Sequence, residues 1–104
     1  MTCRVTFSRR AQADLHELFD YLGDRFSIAN AERFAAQIEK ACLSLGTMPM
    51  RGTDRSDFRP GLRMIGFRRR VTIAFRVNGE SVSILRILYG GQSSDVAFAD
   101  DWDE

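Results

Sequence analysis

Histidine, lysine, proline and cysteine are all scarce in this chain of 104 residues. Each scarcity closes off a class of function. The two cysteines, Cys3 and Cys42, form no metal-binding spacing. Cys42 falls in a helical pattern and reads as a small buried apolar residue, and no disulfide is expected in a reducing compartment. The single histidine, His16, has no cysteine or second histidine beside it, so no metal is expected. As a general base it would need an oriented partner. Asp20, four residues on, reads as ordinary pairing on a helix surface. Both prolines, Pro49 and Pro60, fall in one segment, so the rest of the chain is free of that breaker. No apolar run approaches the ~20 residues that span a bilayer. The opening MTCRVTFSRR has charges but no apolar stretch behind them. No signal peptide is therefore expected, and a cytoplasmic location follows by default. There is no P-loop, no G-x-G-x-x-G and no Ser/His/Asp set, and no cofactor is expected.

What the chain does contain is arginine and a patterned apolar half. With 44% hydrophobic and 28% charged residues it can bury a modest core. Its length predicts one domain over 1–104. Fourteen of the fifteen basic residues are arginine, and their distribution is uneven although the net charge is only +1. Residues 51–76 hold eight arginines against two aspartates, whereas residues 87–104 hold five acids and no base. Residues 92–104 therefore read as an acidic C-terminal tail. Arginine binds carboxylates and phosphates bidentately, but a GC-rich genome produces the same bias.

The best-specified element is RRRVTIAFRVNGESVSILRILYGGQ, Arg68 to Gln92. Val71, Ile73, Phe75 and Val77 alternate with Thr72, Ala74 and Arg76, the period-two pattern of a half-buried strand. Asn78-Gly79 follows, a pair suited to the centre of a type I′ turn. The return strand, Ser81 to Tyr89, is apolar on both faces in its second half, as in a central strand covered on two sides. Upstream, Arg4 to Phe7 reads as a short strand. Ser8 reads as the N-cap of a helix from Arg9 to Phe26, striped by Ala11, Leu15, Leu18, Leu22 and Phe26. Ser27 reads as the N-cap of a second helix, Ile28 to Leu45, with Gly46 as its stop. Residues 46–61 read as loop. Leu62, Met64 and Phe67 suggest one face of a further strand, with Ile65 on the other. The fold class expected is α+β, a small antiparallel sheet in the order β-α-α-β-β-β. A helical hairpin packs on one face, and the other face is less apolar and open to a partner.

Two groups of residues invite a functional reading. Arg68, Arg69 and Arg70 form either a solvated turn or an anion-binding surface for RNA phosphates or an acidic protein. Arg86 is harder to place, because a charge inside a central strand needs a partner. Arg76 on the neighbouring strand is a candidate to share its face, and the acidic tail is a candidate counter-charge.

Taken together, these pieces resemble the RelE/ParE superfamily of bacterial type II toxins, and within it the ParE branch. The resemblance covers nearly the whole chain. It lies in SRRAQADLHELFDYLGDRFS after the first strand, then AERFAAQIEKA, then RPGLRMIGFRRRVTIAFRV, and most specifically ILRILYGGQ. It implies a toxin encoded beside an antitoxin that silences it, acting in growth arrest and in plasmid or chromosome stabilisation. The antitoxin is expected to use a disordered C-terminal segment that folds on binding, and to supply any contact with operator DNA.

The superfamily divides by target. RelE-like members are ribosome-dependent mRNA endonucleases that use basic residues and a Tyr or His near the C-terminus. ParE-like members are associated with inhibition of DNA gyrase and have no established catalytic residues. Here Gln92 and Ser93 stand where the nuclease branch places a basic residue, and Phe98 stands where its acid/base group falls. Phenylalanine cannot exchange a proton. The expectation is therefore a non-enzymatic gyrase binder, with a target-binding surface of Arg68, Arg69, Arg70, Arg76, Arg86, Tyr89 and Gln92. Two alternatives stay open. One is a nuclease with Tyr89 as acid/base and Arg69 and Arg86 as transition-state stabilisers. The other is a non-toxic, degenerate member that only binds antitoxin.

Overall fold

Alternating apolar strands and two amphipathic helices assemble into a five-stranded sheet with a helical hairpin on one face. The computed structural model describes residues 3–68 and 70–90. The elements run β1 (Arg4–Phe7), α1 (Arg9–Arg25), α2 (Ile28–Ser44), β2 (Thr53–Asp54), β3 (Leu62–Phe67), β4 (Val71–Asn78) and β5 (Ser81–Tyr89). The strand order is β1-β5-β4-β3-β2. Arg69, Gln92 and the acidic tail lie outside the described residues.

Both helix starts follow the capping expectation. The Ser8 hydroxyl accepts a hydrogen bond from the Ala11 amide and the Ser27 hydroxyl one from Asn30, each at 3.0 Å. The facing stripes then meet the sheet. Leu18 and Leu22 of α1 and Ile38 and Cys42 of α2 pack on Val71, Ile73 and Phe75 of β4 and on Val82, Ile84 and Ile87 of β5. Phe26, expected in the α1 stripe, is instead 67% exposed, because α1 ends at Arg25 and Phe26 is its C-cap.

Four further details differ from the sequence expectation. The sheet is not wholly antiparallel, since β1 pairs with β5 in parallel while the other neighbours are antiparallel. The 46–61 segment contributes the two-residue strand β2 on β3. The face away from the helices is not open or polar, because Leu62, Met64, Ala74, Leu85 and Leu88 form a second buried cluster there. Phe67 joins Ile65 on the helix face, not Leu62 and Met64.

The β4–β5 turn also shifts by one residue. Asn78 pairs with Ser81, so the loop is Gly79-Glu80, with Gly79 at φ 56°. A positive φ at the first loop residue alone is the type II′ pattern.

The run of apolar residues in β5 is explained by a bulge. Ala74 pairs with Arg86 but Phe75 pairs with Ile84, which leaves Leu85 as an extra residue. Alternation resets there, so Ile84 and Ile87, three apart, both reach the helix side, while Leu85 and Leu88 reach the other. The bulge sits where β1 stops. Phe7 pairs with Ile84, and beyond that point α1 covers the edge of β5. The Ser8 hydroxyl donates to the Leu85 carbonyl at 2.9 Å, and the Asp14 carboxylate accepts from the Ile87 amide at 2.9 Å. Polar side chains of α1 and its cap thus replace the missing strand neighbour.

Gly46 matters for space more than for helix termination. Its carbonyl accepts from the Cys3 amide at 2.7 Å. A Cβ there would stand 2.6 Å from the Cys3 carbonyl oxygen and 3.0 Å from the Val5 side chain. Gly46→Ala is expected to push β1 from its seat and lower the unfolding free energy by about 1–3 kcal/mol, measured by urea denaturation.

Cys42 is fully buried and free, and its pKa is pushed up from 9.0 to about 12, by burial first and by the charge of Glu39 second. It should resist a thiol reagent in the native state and react on unfolding, while the half-buried Cys3 reacts first. The sign of the linkage follows. The folded chain keeps the Cys42 proton longer than the unfolded chain does. This contribution is complete below pH 9.0 and is lost as pH rises towards about 12. Unfolding titrations on either side of pH 9.0 should show a decline that Cys42→Ala reduces.

Candidate functional site

β3 and β4 are joined by a tight turn because Phe67 pairs directly with Val71, leaving residues 68–70 to reverse the chain. Arg68 adopts φ 53°, the one positive φ among the described non-glycine residues. Such a conformation costs a residue with a Cβ about 1–2 kcal/mol. The turn is tied to the end of β5, where the Gly90 amide donates to the Arg70 carbonyl at 2.8 Å. That bond brings the arginine turn beside Tyr89.

The Tyr89 ring sits in an aromatic cluster built from four elements. Its centroid is 5.8 Å from Tyr21 of α1 and 6.3 Å from Phe34 of α2, the latter pair edge-to-face. Phe34 in turn lies 6.3 Å from Phe67 of β3. Tilted and edge-on arrangements suit the ring quadrupoles. The Arg25 guanidinium is 4.8 Å from the centroid of Tyr21, and that of Arg68 is 5.6 Å from Phe67, both within cation–π range. Between turn and helical hairpin lies a cavity of about 410 Å³ lined by Leu22, Phe26, Asn30, Phe34, Arg68, Arg70 and Tyr89.

Of the residues expected at the surface from sequence, Arg68, Arg70 and Tyr89 do converge. Arg76 does not join them. It pairs with Leu62 and Ser83, so it lies towards the other end of β4 and on the face away from the helices. Arg86 is the clear correction. Its side chain is only 5% exposed and binds Asp14 of α1 through two hydrogen bonds, Nε at 2.8 Å and an η nitrogen at 3.1 Å. The same carboxylate takes the Ile87 amide. Arg86 pairs with Ala74 and Arg76 with Leu62, two members of one buried cluster, so the strand register places both arginines on the face away from the helices. Asp14 of α1 supplies a counter-charge to Arg86 that the sequence did not reveal, and the acidic tail lies outside the described residues. The burial of Arg86 and its bond to Asp14 argue against a place on the target-binding surface or in the nuclease set. Arg69 and Gln92 fall outside the described residues.

Sequence reasoning missed Phe26, Asn30 and Phe34 as site residues and placed Phe26 in the α1 core stripe. The available signal was positional. Phe26 immediately precedes the Ser27 cap, where the chain turns and a side chain is easily exposed. His16 is exposed and 3.5 Å from Asp20, as a helix-surface pair. Among the described residues no cluster of His, Cys, Asp and Glu is arranged to hold a metal. No helix is long and apolar enough to cross a membrane, again among the described residues.

A second concavity, about 650 Å³, runs between the helices and β1 and is lined by Val5, Phe7, Leu15, Phe19, His16 and Glu39 among others. Beside it β1 pairs only with β5, so among the described residues its outer edge has no strand partner.

Comparison with known proteins decides the family. The family described as "ParE toxin of type II toxin-antitoxin system, parDE" matches residues 5–93. This chain belongs to the ParE toxin family. The ParE assignment is supported by relatives of similar length. Toxin ParE3 of Caulobacter vibrioides is 37% identical over 87 residues, covering 84% of this chain and 86% of that protein. Toxin ParE1 of Mycobacterium tuberculosis is 30% identical over 90 residues, covering 86% and 91% respectively. A solved structure of the chromosomal ParDE TA system from P. aeruginosa superposes with a TM-score of 0.74 at 26% identity, covering 86% of this chain and 97% of that one. The RelBE2 toxin–antitoxin complex from Mycobacterium tuberculosis shares the fold, with a TM-score of 0.61 at 20% identity over 86% of this chain and 99% of that one. The α+β architecture expected from the sequence is thus the ParE/RelE fold.

Proposed function

We propose that this ParE-family toxin inhibits DNA gyrase by binding it, without chemistry of its own, and that a cognate antitoxin silences it. One observation supports binding over phosphodiester cleavage. Arg86, the cation a nuclease reading needs near Tyr89, is committed to Asp14 beneath α1. A transition-state stabiliser must aim its donors at the reacting phosphate, and this guanidinium aims them at a carboxylate. Tyr89 is packed edge-to-face on Phe34, a setting that suits a binding surface. The working surface is then the Arg68–Arg70 turn with Tyr89 and the aromatic cavity beside it.

The antitoxin is assigned to the second concavity. A largely apolar cleft flanked by a strand edge that no described strand pairs offers both a seat for an amphipathic segment and main-chain hydrogen bonds.

The deciding experiment is gyrase supercoiling in the presence of purified toxin. Inhibition that saturates with toxin, and that added antitoxin relieves, is the expected result. Full gyrase activity at saturating toxin rejects the proposal. Cleavage of mRNA on translating ribosomes, lost in Tyr89→Phe, would replace it with the nuclease reading.

A further inference from the structure

The cavity beside Tyr89 continues past Arg68 into a second depression. This one, about 310 Å³, is lined by Gln37, Lys40, Ala41, Ser44, Phe67 and Arg68. Arg68 lines both, so the two depressions adjoin at that residue and together make a groove between α2 and the β3–β4 turn. Along α2 the groove follows Asn30, Phe34, Gln37, Ala41 and Ser44, the spacing of three and four that keeps one helix face in line. At the Ser44 end, Arg51 reaches in and donates to the Ser44 hydroxyl at 3.3 Å.

Charge in this groove has one sign. Arg68, Arg70 and Lys40 line it, and no carboxylate does among the described residues. Lys40 is the one lysine of the chain, and Arg33, seven residues before it, falls on the same side of α2. The acids of α2 are sorted the other way. Glu39 lines the antitoxin-side concavity, and Glu32, seven residues before it, shares that side. The floor, by contrast, is apolar and aromatic, from Leu22, Phe34 and Tyr89 at one end to Phe67 at the other. Phe26, which lines it, is 67% exposed.

We infer that this groove takes an acidic polypeptide segment carrying an aliphatic or aromatic anchor. The anchor enters the cavity between Phe34 and Tyr89, and flanking carboxylates meet Arg68, Arg70 and Lys40. Arginine pairs with a carboxylate through two parallel N–H donors, which fixes direction as well as charge. A nucleic acid backbone would satisfy the same cations but leave Phe26 wet, whereas an apolar anchor buries it. The inference refines the binding surface of the proposed function by naming the chemistry of what is bound, and it rests on that surface being the working one.

The test is fluorescence anisotropy of the purified chain with labelled synthetic probes. One is a short Asp/Glu-rich peptide with a central Leu-Phe pair. The second replaces its acids by Asn and Gln, the third replaces Leu-Phe by Ser-Ser, and the fourth is a single-stranded oligothymidine of equal length. The first peptide is expected to bind at least about tenfold more tightly than each of the others, as two rim charge pairs and one buried anchor imply. Arg68→Ala with Arg70→Ala should remove about tenfold of that affinity, and Phe34→Leu should weaken the anchored peptide but not the Ser-Ser one. Arg4→Ala, on β1, is the control that leaves binding unchanged. Equal binding of all peptides, tighter binding of the oligonucleotide, or indifference to the arginine pair overturns the inference. The two readings fail separately. Loss of gyrase inhibition in the arginine variants without peptide binding keeps the gyrase proposal and removes this one. Peptide binding with unaffected gyrase does the reverse.

Discussion

Asp14→Ala is expected to lower the unfolding free energy by about 3–5 kcal/mol, the range for removing one partner of a buried ion pair. The Asp14 carboxylate accepts three hydrogen bonds, two from Arg86 and one from the Ile87 amide. Alanine leaves a guanidinium whose side chain is 5% exposed without this counter-charge and an edge amide without its acceptor. Total stability of a domain this size is about 5–15 kcal/mol, so the variant sits near the limit of folding and should be measured by urea titration at low temperature. Arg86→Lys keeps the charge but not the two-pronged geometry, and should cost less than Arg86→Ala. A double variant, Asp14→Leu with Arg86→Met, removes both charges and should recover most of the loss. It should still fall short of the parent by about 1–3 kcal/mol, because the Ile87 amide stays unsatisfied. If Asp14→Ala unfolds at the same urea concentration as the parent, the pair does not hold α1 to β5.

The second large effect is functional. Arg68→Glu with Arg70→Glu should reduce gyrase inhibition by about a hundredfold or more, since each reversal replaces an attraction by a repulsion and like charges facing across an interface cost several kcal/mol. Folding should hardly notice. Both side chains are exposed, and the contact of Arg68 with Phe67 is a surface cation–π pair worth about 0.5–1 kcal/mol. Potency in the supercoiling assay and the midpoint of urea unfolding, measured on the same preparation, separate the two. Arg68→Gly adds a useful contrast. It relieves the positive φ at that position, so the chain should become slightly more stable while losing one charge of the surface. A charge-reversed variant that inhibits as well as the parent would show that the arginine turn is merely a solvated corner of the hairpin.

These two experiments bear on arginines that look alike in the sequence, and the contrast shows how much of the site could be read there. The Arg68–Arg70 run and Arg86 were grouped by charge and by proximity to the same hairpin. Arg86 lies on β5 and finds Asp14, 72 residues away, only because α1 takes the place of β1 along the edge of β5. No spacing rule connects two residues so distant. The oddity of a charge within an apolar strand signalled that a partner must exist, but not which one. Arg76 was misplaced for a simpler reason. Its position opposite Leu62 puts it on the second apolar face, and the burial of that face was not expected from β3 and β4 taken one at a time.

The local elements were written in the chain itself. Ser8 and Ser27 mark helix starts because a hydroxyl in that position satisfies an otherwise orphaned amide, and that chemistry needs no distant neighbour. Alternation in β4 and the two helical stripes followed from strand and helix periods alone, and the ordered set of motifs was enough to point to the ParE family. What depended on the tertiary structure was every relation between elements remote in sequence. These are the parallel seat of β1 on β5, the bulge at Leu85 that lets two apolar runs face opposite ways, and the Asp14–Arg86 pair. The groove is a further case, formed only when the β3–β4 turn comes to rest against α2. Long-range pairing and burial depend on which surfaces meet, and residue order constrains that meeting without displaying it.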